Sequence, residues 1–136
     1  MNETVVLYGE IREPYQFEVY PIDSKFEDVG CVYVYSKKIN DSWEYIYIGK
    51  TNELARRLRE HENGNERSDK CIRESGATHI FVYLDDTELS RSQAESDILK
   101  GNSFSCNIKE NSKSDEDQDF TNKTIKEAFT KPQMRW

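Results

Sequence analysis

Apolar residues in the first half of the chain come in short alternating runs. Residues 4–8 (Thr-Val-Val-Leu-Tyr) and 15–20 (Tyr-Gln-Phe-Glu-Val-Tyr) read as strands, with Gly9 and Pro14 bounding their connection. In the second run Tyr15, Phe17 and Val19 alternate with Gln16, Glu18 and Tyr20, a half-buried period of two. Residues 22–29 read as a loop. Two further β-rich runs, 31–35 and 44–49, are joined by a polar loop through Asn40-Asp41-Ser42 and predict an antiparallel hairpin. Tyr33 and Tyr35 are then expected on one face of the first strand, and Tyr45 and Tyr47 on one face of the second.

The pattern then lengthens to helical spacing. Asn52 is placed to cap a helix running to about His61 and ended by Asn63-Gly64-Asn65. Residues 67–75 predict a short second helix with Gly76 after it, and residues 77–83 a third strand of the central domain. A last core helix is opened by Thr87 or Ser90 and closed at Gly101-Asn102. Residues 111–119 are polar and acidic and read as a linker. Ile125, Ala128 and Phe129 give one helical stripe before Pro132, which needs a docking partner to persist.

Two helices break their own patterns. In the first, Leu54 and Leu58 define the apolar stripe, yet at about 100° per residue Arg57 and His61 fall on or beside it. In the later helix Ala94, Ile98 and Leu99 mark the stripe, and Glu95 points between the last two. A carboxylate on a buried face needs a cation or a cleft. A snorkelling Arg, a hydrogen-bonded core His and an edge Glu explain the same positions without function.

Composition narrows the class. The 136 residues carry 19 Lys+Arg against 26 Asp+Glu, a net charge of -7, which suits one modest domain and argues against a protein that coats nucleic acid by charge alone. The acidity is uneven. Residues 1–46 carry -5 and residues 76–108 carry -3, while 47–75, which hold Lys50, Arg56, Arg57, Arg59 and His61, carry +1. That distribution predicts a small basic cleft in an acidic shell. No run approaches about 18 apolar residues, and the start lacks a basic segment followed by an apolar one. No membrane association and a cytoplasmic location are therefore expected. Cys31, Cys71 and Cys106 are odd in number with no CxxC pair, so three free thiols are expected, with neither a disulfide framework nor a zinc site.

Tyr47-Ile48-Gly49-Lys50-Thr51 resembles the GIY-YIG nuclease family. Cys31-Val32-Tyr33 stands where that family has Gly-Ile-Tyr, and the stretch from Asn52 to His61 looks like the helix carrying its essential arginine, here Arg57. Lys50 matches a polar or basic position after the tripeptide, and His61 a His-or-Tyr position one turn beyond the arginine. Glu95 matches the metal-binding glutamate and Asn107 the terminal asparagine. The likeness covers about residues 30–108. It departs at Cys31 and Val32, in a longer loop between the tyrosine motifs, and in lacking the proline that often precedes the asparagine.

The resemblance implies an α+β fold, a three-stranded antiparallel sheet flanked by helices. Residues 1–29 would be an N-terminal β extension, 30–108 the nuclease domain, and 109–136 an acidic linker with a C-terminal helix. It implies a stand-alone, metal-dependent endonuclease acting on double-stranded or branched DNA. The alternative is a non-catalytic or partner-dependent domain of the same fold that binds nucleic acid or protein. By the resemblance Glu95 would hold one divalent cation, Mg²⁺ or Mn²⁺. Tyr33 would act as general base, helped by Lys50 or His61. Arg57 would stabilise charge on the phosphate, Tyr47 would hydrogen-bond phosphate or water, and Asn107 would order the site. Lys50, Arg56, Arg57 and Arg59 would face DNA. A homodimer or a protein partner would extend the small binding surface. The products would be a 5′-phosphate and a 3′-hydroxyl.

Overall fold

A computed structural model describes residues 3–107. The expected linker at 111–119 and the tail helix around Ile125–Phe129 lie outside the described residues. The elements in order are β1 (Thr4–Tyr8), β2 (Pro14–Pro21), β3 (Cys31–Ile39), β4 (Ser42–Thr51), α1 (Leu54–Asn63), α2 (Arg67–Ser75), β5 (His79–Leu84) and α3 (Glu88–Gly101).

The sheet has five strands in the order β1-β2-β5-β3-β4, and every neighbouring pair is antiparallel. The α+β class stands, but the expected three-stranded sheet is corrected to five strands. β2 pairs directly with β5, Val19 opposite Phe81, so the N-terminal strands continue the central sheet. α3 fastens them from the other side. Asp97 accepts hydrogen bonds from the Ile11 amide (3.2 Å) and the Tyr15 hydroxyl (2.8 Å), and its carbonyl accepts from the Glu10 amide (3.0 Å). A half-buried phenol beside a carboxylate resists ionisation, and Tyr15 is pushed up to about 12.

The sheet separates two apolar layers. On one face Cys31, Tyr33, Tyr35, Ile80 and Val82 pack with Leu54 and Leu58 of α1 and Ile72 of α2. On the other, Val32, Val34, Ile48, Phe17 and Phe81 pack with Ala94 and Ile98 of α3. Each fully buried Leu or Ile contributes about 1.5–3 kcal/mol over leaving it in water. With helices on both sides, β3 is buried from Cys31 to Ser36, and its alternation of chemistry sorts side chains between two cores.

Three local readings change. The expected polar loop shortens to a two-residue turn, Asn40-Asp41, because the strands run on to Ile39 and Ser42; Asn40 takes φ 57°, a conformation Asn tolerates. Between Tyr35 and Ser36 the β3–β4 register slips, since Tyr35 faces Tyr47 and Ser36 faces Tyr45, leaving Ile46 as the extra residue of a bulge. The bulge breaks the period of two. Tyr45 therefore packs in the α3 layer and Tyr47 in the α1 layer, not on one face. Asn52 is not the cap of α1. Glu53 occupies that position without a side-chain bond, and Asp28 accepts the Arg56 amide (2.9 Å) while the Val29 carbonyl accepts the Leu54 amide (3.2 Å). The first-turn donors are thus satisfied by a segment distant in sequence.

The expectation of three free thiols is also corrected. Cys71 of α2 and Cys106 are joined in a disulfide, with Cα atoms 5.6 Å apart, while Cys31 is free and buried. Burial pushes the Cys31 thiol up to about 12, so it stays inert. Long spacing had hidden the pair, since 35 residues separate the two in sequence. Among the described residues no helix is long and apolar enough to cross a membrane.

Candidate active site

β3, β4 and α1 bring four of the expected residues into one cluster. The Tyr33 ring lies 6.3 Å from that of Tyr47 and 5.8 Å from His61, and Tyr47 lies 5.1 Å from His61, centroid to centroid. Gly49 explains how Tyr33 fits. The two residues are opposite each other across the β3–β4 pair, and a Cβ at position 49 would run into the Tyr33 hydroxyl. The glycine of the tripeptide makes room for the first tyrosine.

A hydrogen-bonded chain runs through the cluster. The Tyr33 hydroxyl lies 2.7 Å from His61 Nε2, and His61 Nδ1 lies 2.8 Å from Asp69 Oδ1. All three residues are buried. Burial, with Tyr47 nearby, holds Tyr33 well above its ordinary value, although the Arg57 guanidinium beside it opposes the shift. Burial lowers His61, opposed by its bond to Asp69. Both groups are therefore neutral in the resting protein.

Arg57 is half-buried between this chain and solvent. Burial works against its charge, but the Tyr33 and Tyr47 hydroxyls and Glu60, which accepts from its Nη1 at 2.9 Å, more than offset that and raise its pKa. Burial likewise raises Tyr47, with Arg57 opposing and Glu95 reinforcing the shift.

Glu95, on α3, is half-buried and has neither a hydrogen bond nor an ion pair among the described residues. Burial raises its pKa, and only Lys50 acts against that. Lys50 itself pairs with Glu88 at 3.0 Å. Desolvating a carboxylate without a partner is costly, and a divalent cation is the partner that would reverse the cost. No group of three or more His, Cys, Asp or Glu side chains converges on one point among the described residues. A single carboxylate donor would leave the remaining positions of such an ion to water.

Asn107 binds the backbone of the tyrosine strand. Its Oδ1 accepts from the Ile48 amide (2.8 Å) and its Nδ2 donates to the Ile48 carbonyl (3.0 Å). The Cys106 amide donates to the Ile46 carbonyl (2.7 Å), so residues 105–107 lie along the outer edge of β4. The asparagine thereby clamps the strand between Tyr47 and Gly49.

Two of the expected DNA-facing arginines lie outside the cluster. Arg56 pairs with Glu53 at 2.7 Å and with Glu60. Arg59 lines a cavity of about 330 Å³ with Phe26, Leu58, Ile72 and Arg73. Lys50, Arg56 and Arg57 each have a carboxylate partner, so the basic segment presents less free charge than its +1 balance suggests. On α3, Leu99 is exposed, and the buried third residue of the stripe is Arg91, whose Nη1 donates to the Asp85 carbonyl at 2.9 Å. Sequence patterning missed Arg91 and Asp69. Asp69 sits at the third position of α2 with its carboxylate accepting from the Glu66 amide, where it reads as a helix cap and nothing more.

A family model for the GIY-YIG catalytic domain matches residues 29–107. The chain belongs to the GIY-YIG family. The matched span starts just before Tyr33 and ends at Asn107, and it covers Tyr47, Arg57, His61 and Glu95. Within this family the domain is a nuclease-type unit, which agrees with two tyrosines and an arginine gathered on the α1 side of the sheet and a half-buried carboxylate on α3. Comparison with curated proteins and with solved structures returns no match. The GIY-YIG span leaves out β1 and β2, although these strands complete its sheet.

Proposed function

We propose that the chain is a divalent-metal-dependent endonuclease that hydrolyses phosphodiester bonds of DNA. One observation carries this reading. Glu95 is a half-buried carboxylate without a hydrogen-bond or ion-pair partner among the described residues, placed where its charge is felt by Tyr47 and Lys50. A purely structural α3 gains nothing from that arrangement.

Glu95 would hold one divalent ion, whose chemistry is to neutralise charge on the phosphate and its leaving oxygen. Arg57 would bind the scissile phosphate through its guanidinium fork, in place of its exposed contact with Glu60. Lys50 would turn from Glu88, itself exposed, toward the same phosphate. Tyr47 donates its hydroxyl to phosphate or water. Asn107 keeps β4 in register so that Tyr47 and Gly49 stay set against Tyr33. With Lys50, Arg56 and Arg57 already paired to carboxylates, the domain has weak non-specific affinity for DNA. Cleavage then depends on the shape of the substrate, a second copy or a protein partner.

Incubation with supercoiled plasmid and with branched DNA tests the reading, with Mg²⁺ or Mn²⁺ and with EDTA. Nicks bearing 5′-phosphate and 3′-hydroxyl ends are expected only with metal. Glu95→Ala and Arg57→Ala should each abolish cutting while circular dichroism stays that of the wild type. Wild-type rates in either variant would overturn the proposal.

A further inference from the structure

A buried tyrosine with a raised pKa is a poor base by itself. The proposed reaction asks Tyr33 to accept a proton from water, yet its hydroxyl is buried and already hydrogen-bonded to His61 Nε2. We infer that Asp69 is a positioning residue for this reaction, holding His61 in the tautomer whose Nε2 takes the Tyr33 proton. The inference rests on the nuclease reading above and deepens it.

The geometry leaves Asp69 little freedom. Its Oδ1 accepts from His61 Nδ1 at 2.8 Å and its Oδ2 accepts from the Glu66 amide at 3.3 Å. Gly64, just after α1, is the reason the carboxylate fits, because a Cβ there would collide with Oδ2. Three segments thus converge on one carboxylate, and its strongest contact is the imidazole. With the Nδ1 proton committed to Asp69, only the Nε2 lone pair is left to face Tyr33. Asp69 also stabilises the imidazolium that forms when that lone pair is protonated. The other charged groups at His61 are Arg57 and Glu60 of its own helix, of opposite sign, and Arg73 of α2, whose Nη1 donates to the His61 carbonyl at 2.8 Å; the uncharged Tyr33, Tyr35 and Tyr47 rings pack against it from the sheet.

The step balances as follows. Water gives one proton to the Tyr33 oxygen while the Tyr33 hydroxyl proton passes to His61 Nε2. The water oxygen bonds to phosphorus and the P–O3′ bond breaks. The leaving 3′-oxygen takes a proton from solvent, and His61 returns its proton through Tyr33 to solvent. Tyr33 need never be a free phenolate, so its raised pKa is no obstacle.

Asp69→Asn separates this role from helix capping. The Glu66 amide still demands an oxygen, which turns the new side-chain NH₂ toward His61 Nδ1 and imposes the Nε2–H tautomer. The experiment is ¹⁵N NMR of the His61 ring in the full chain, wild type and Asp69→Asn, with steady-state cleavage of both. Wild-type His61 should be neutral with its proton on Nδ1, and the variant should carry it on Nε2. Turnover should fall at least about 100-fold, the low end for a lost general base, with KM changed less than about threefold. An Nε2–H wild type, an unchanged tautomer in the variant, or retained turnover would each overturn the inference. The wild-type spectrum decides even where the variant fails to fold. Absence of metal-dependent cutting by the wild type would defeat the nuclease reading and leave the tautomer result standing by itself.

Discussion

Gly49 and Tyr33 face each other across the β3–β4 pair, and the glycine's missing Cβ is the space the Tyr33 hydroxyl occupies. The second tyrosine motif thus shapes the position of the first. Gly49→Ala would push the Tyr33 ring off His61 in a site already packed. We expect a stability loss of about 1–3 kcal/mol, the usual cost of overpacking, and loss of cleavage well beyond what unfolding explains. Urea titration alongside a nicking assay checks both; unchanged activity in a folded Gly49→Ala protein would show that Tyr33 does not need its present place.

Glu95 should trade stability against activity. Its carboxylate is half-buried without a partner among the described residues, and burial already raises its pKa. Glu95→Gln removes the charge and keeps the shape. Cleavage should vanish, while the melting temperature in EDTA should hold or rise. Adding Mg²⁺ should raise the melting temperature of the wild type and leave that of the variant unmoved. A marked drop in melting temperature on Glu95→Gln would mean the carboxylate has a protein partner after all.

Acid should loosen the fold through His61. Burial depresses its folded-state pKa below the ordinary 6.5, so the folded protein binds fewer protons there than the unfolded chain. The stability this gives is fully present above about pH 6.5. It is lost as pH falls from there toward the lowered folded value. Unfolding free energy measured from pH 7.5 to 5 should therefore decline. In His61→Gln the slope over that window should flatten. A wild-type profile that is flat or rises on acidification would contradict a neutral, buried imidazole.

The Cys71–Cys106 bridge ties α2 to the segment that carries Asn107, and it closes a loop of 35 residues. Such a crosslink contributes on the order of 3–4 kcal/mol by the loop-entropy account. Dithiothreitol, or a Cys71→Ser variant, should lower the melting temperature. It should also weaken the Asn107 clamp on Ile48, one residue beyond the bridge, and slow cleavage. Mass spectrometry after alkylation should find one reactive-thiol pair released by reductant and Cys31 protected until unfolding. Alkylation of Cys71 and Cys106 in the untreated folded protein would remove the bridge from consideration.

Asn107→Ala deletes both side-chain hydrogen bonds to Ile48 and leaves that backbone pair on an open edge. A loss of about 1–3 kcal/mol is expected, within the range for two such bonds in a half-buried place. Hydrogen exchange should speed up at the Ile48 amide and stay slow at the β3–β5 amides. Uniform acceleration across the sheet would instead mean global destabilisation.

The amino-acid sequence by itself determined the elements and singled out most residues of the candidate site. Short β-rich runs marked β1 to β5, and helical spacing set α1, α2 and α3 to within a few residues. These signals are local, carried by which face of a strand or helix must be buried. The same logic exposed Arg57, His61 and Glu95, because each put a polar group on a face meant for the core. The tertiary structure alone decided the rest. Only pairing across strands shows that β1 and β2 complete the sheet, or that the Ile46 bulge sends Tyr45 and Tyr47 to opposite layers. Only proximity shows that Asp28 caps α1, that Cys71 meets Cys106, that Glu88, Glu53 and Glu60 hold the basic side chains, and that Asp69 lies behind His61. Periodicity records which way a side chain points, not what it meets there. The Tyr33–His61–Asp69 chain is made by three elements arriving at one place, so its chemistry belongs to the packing of α1 and α2 on the sheet.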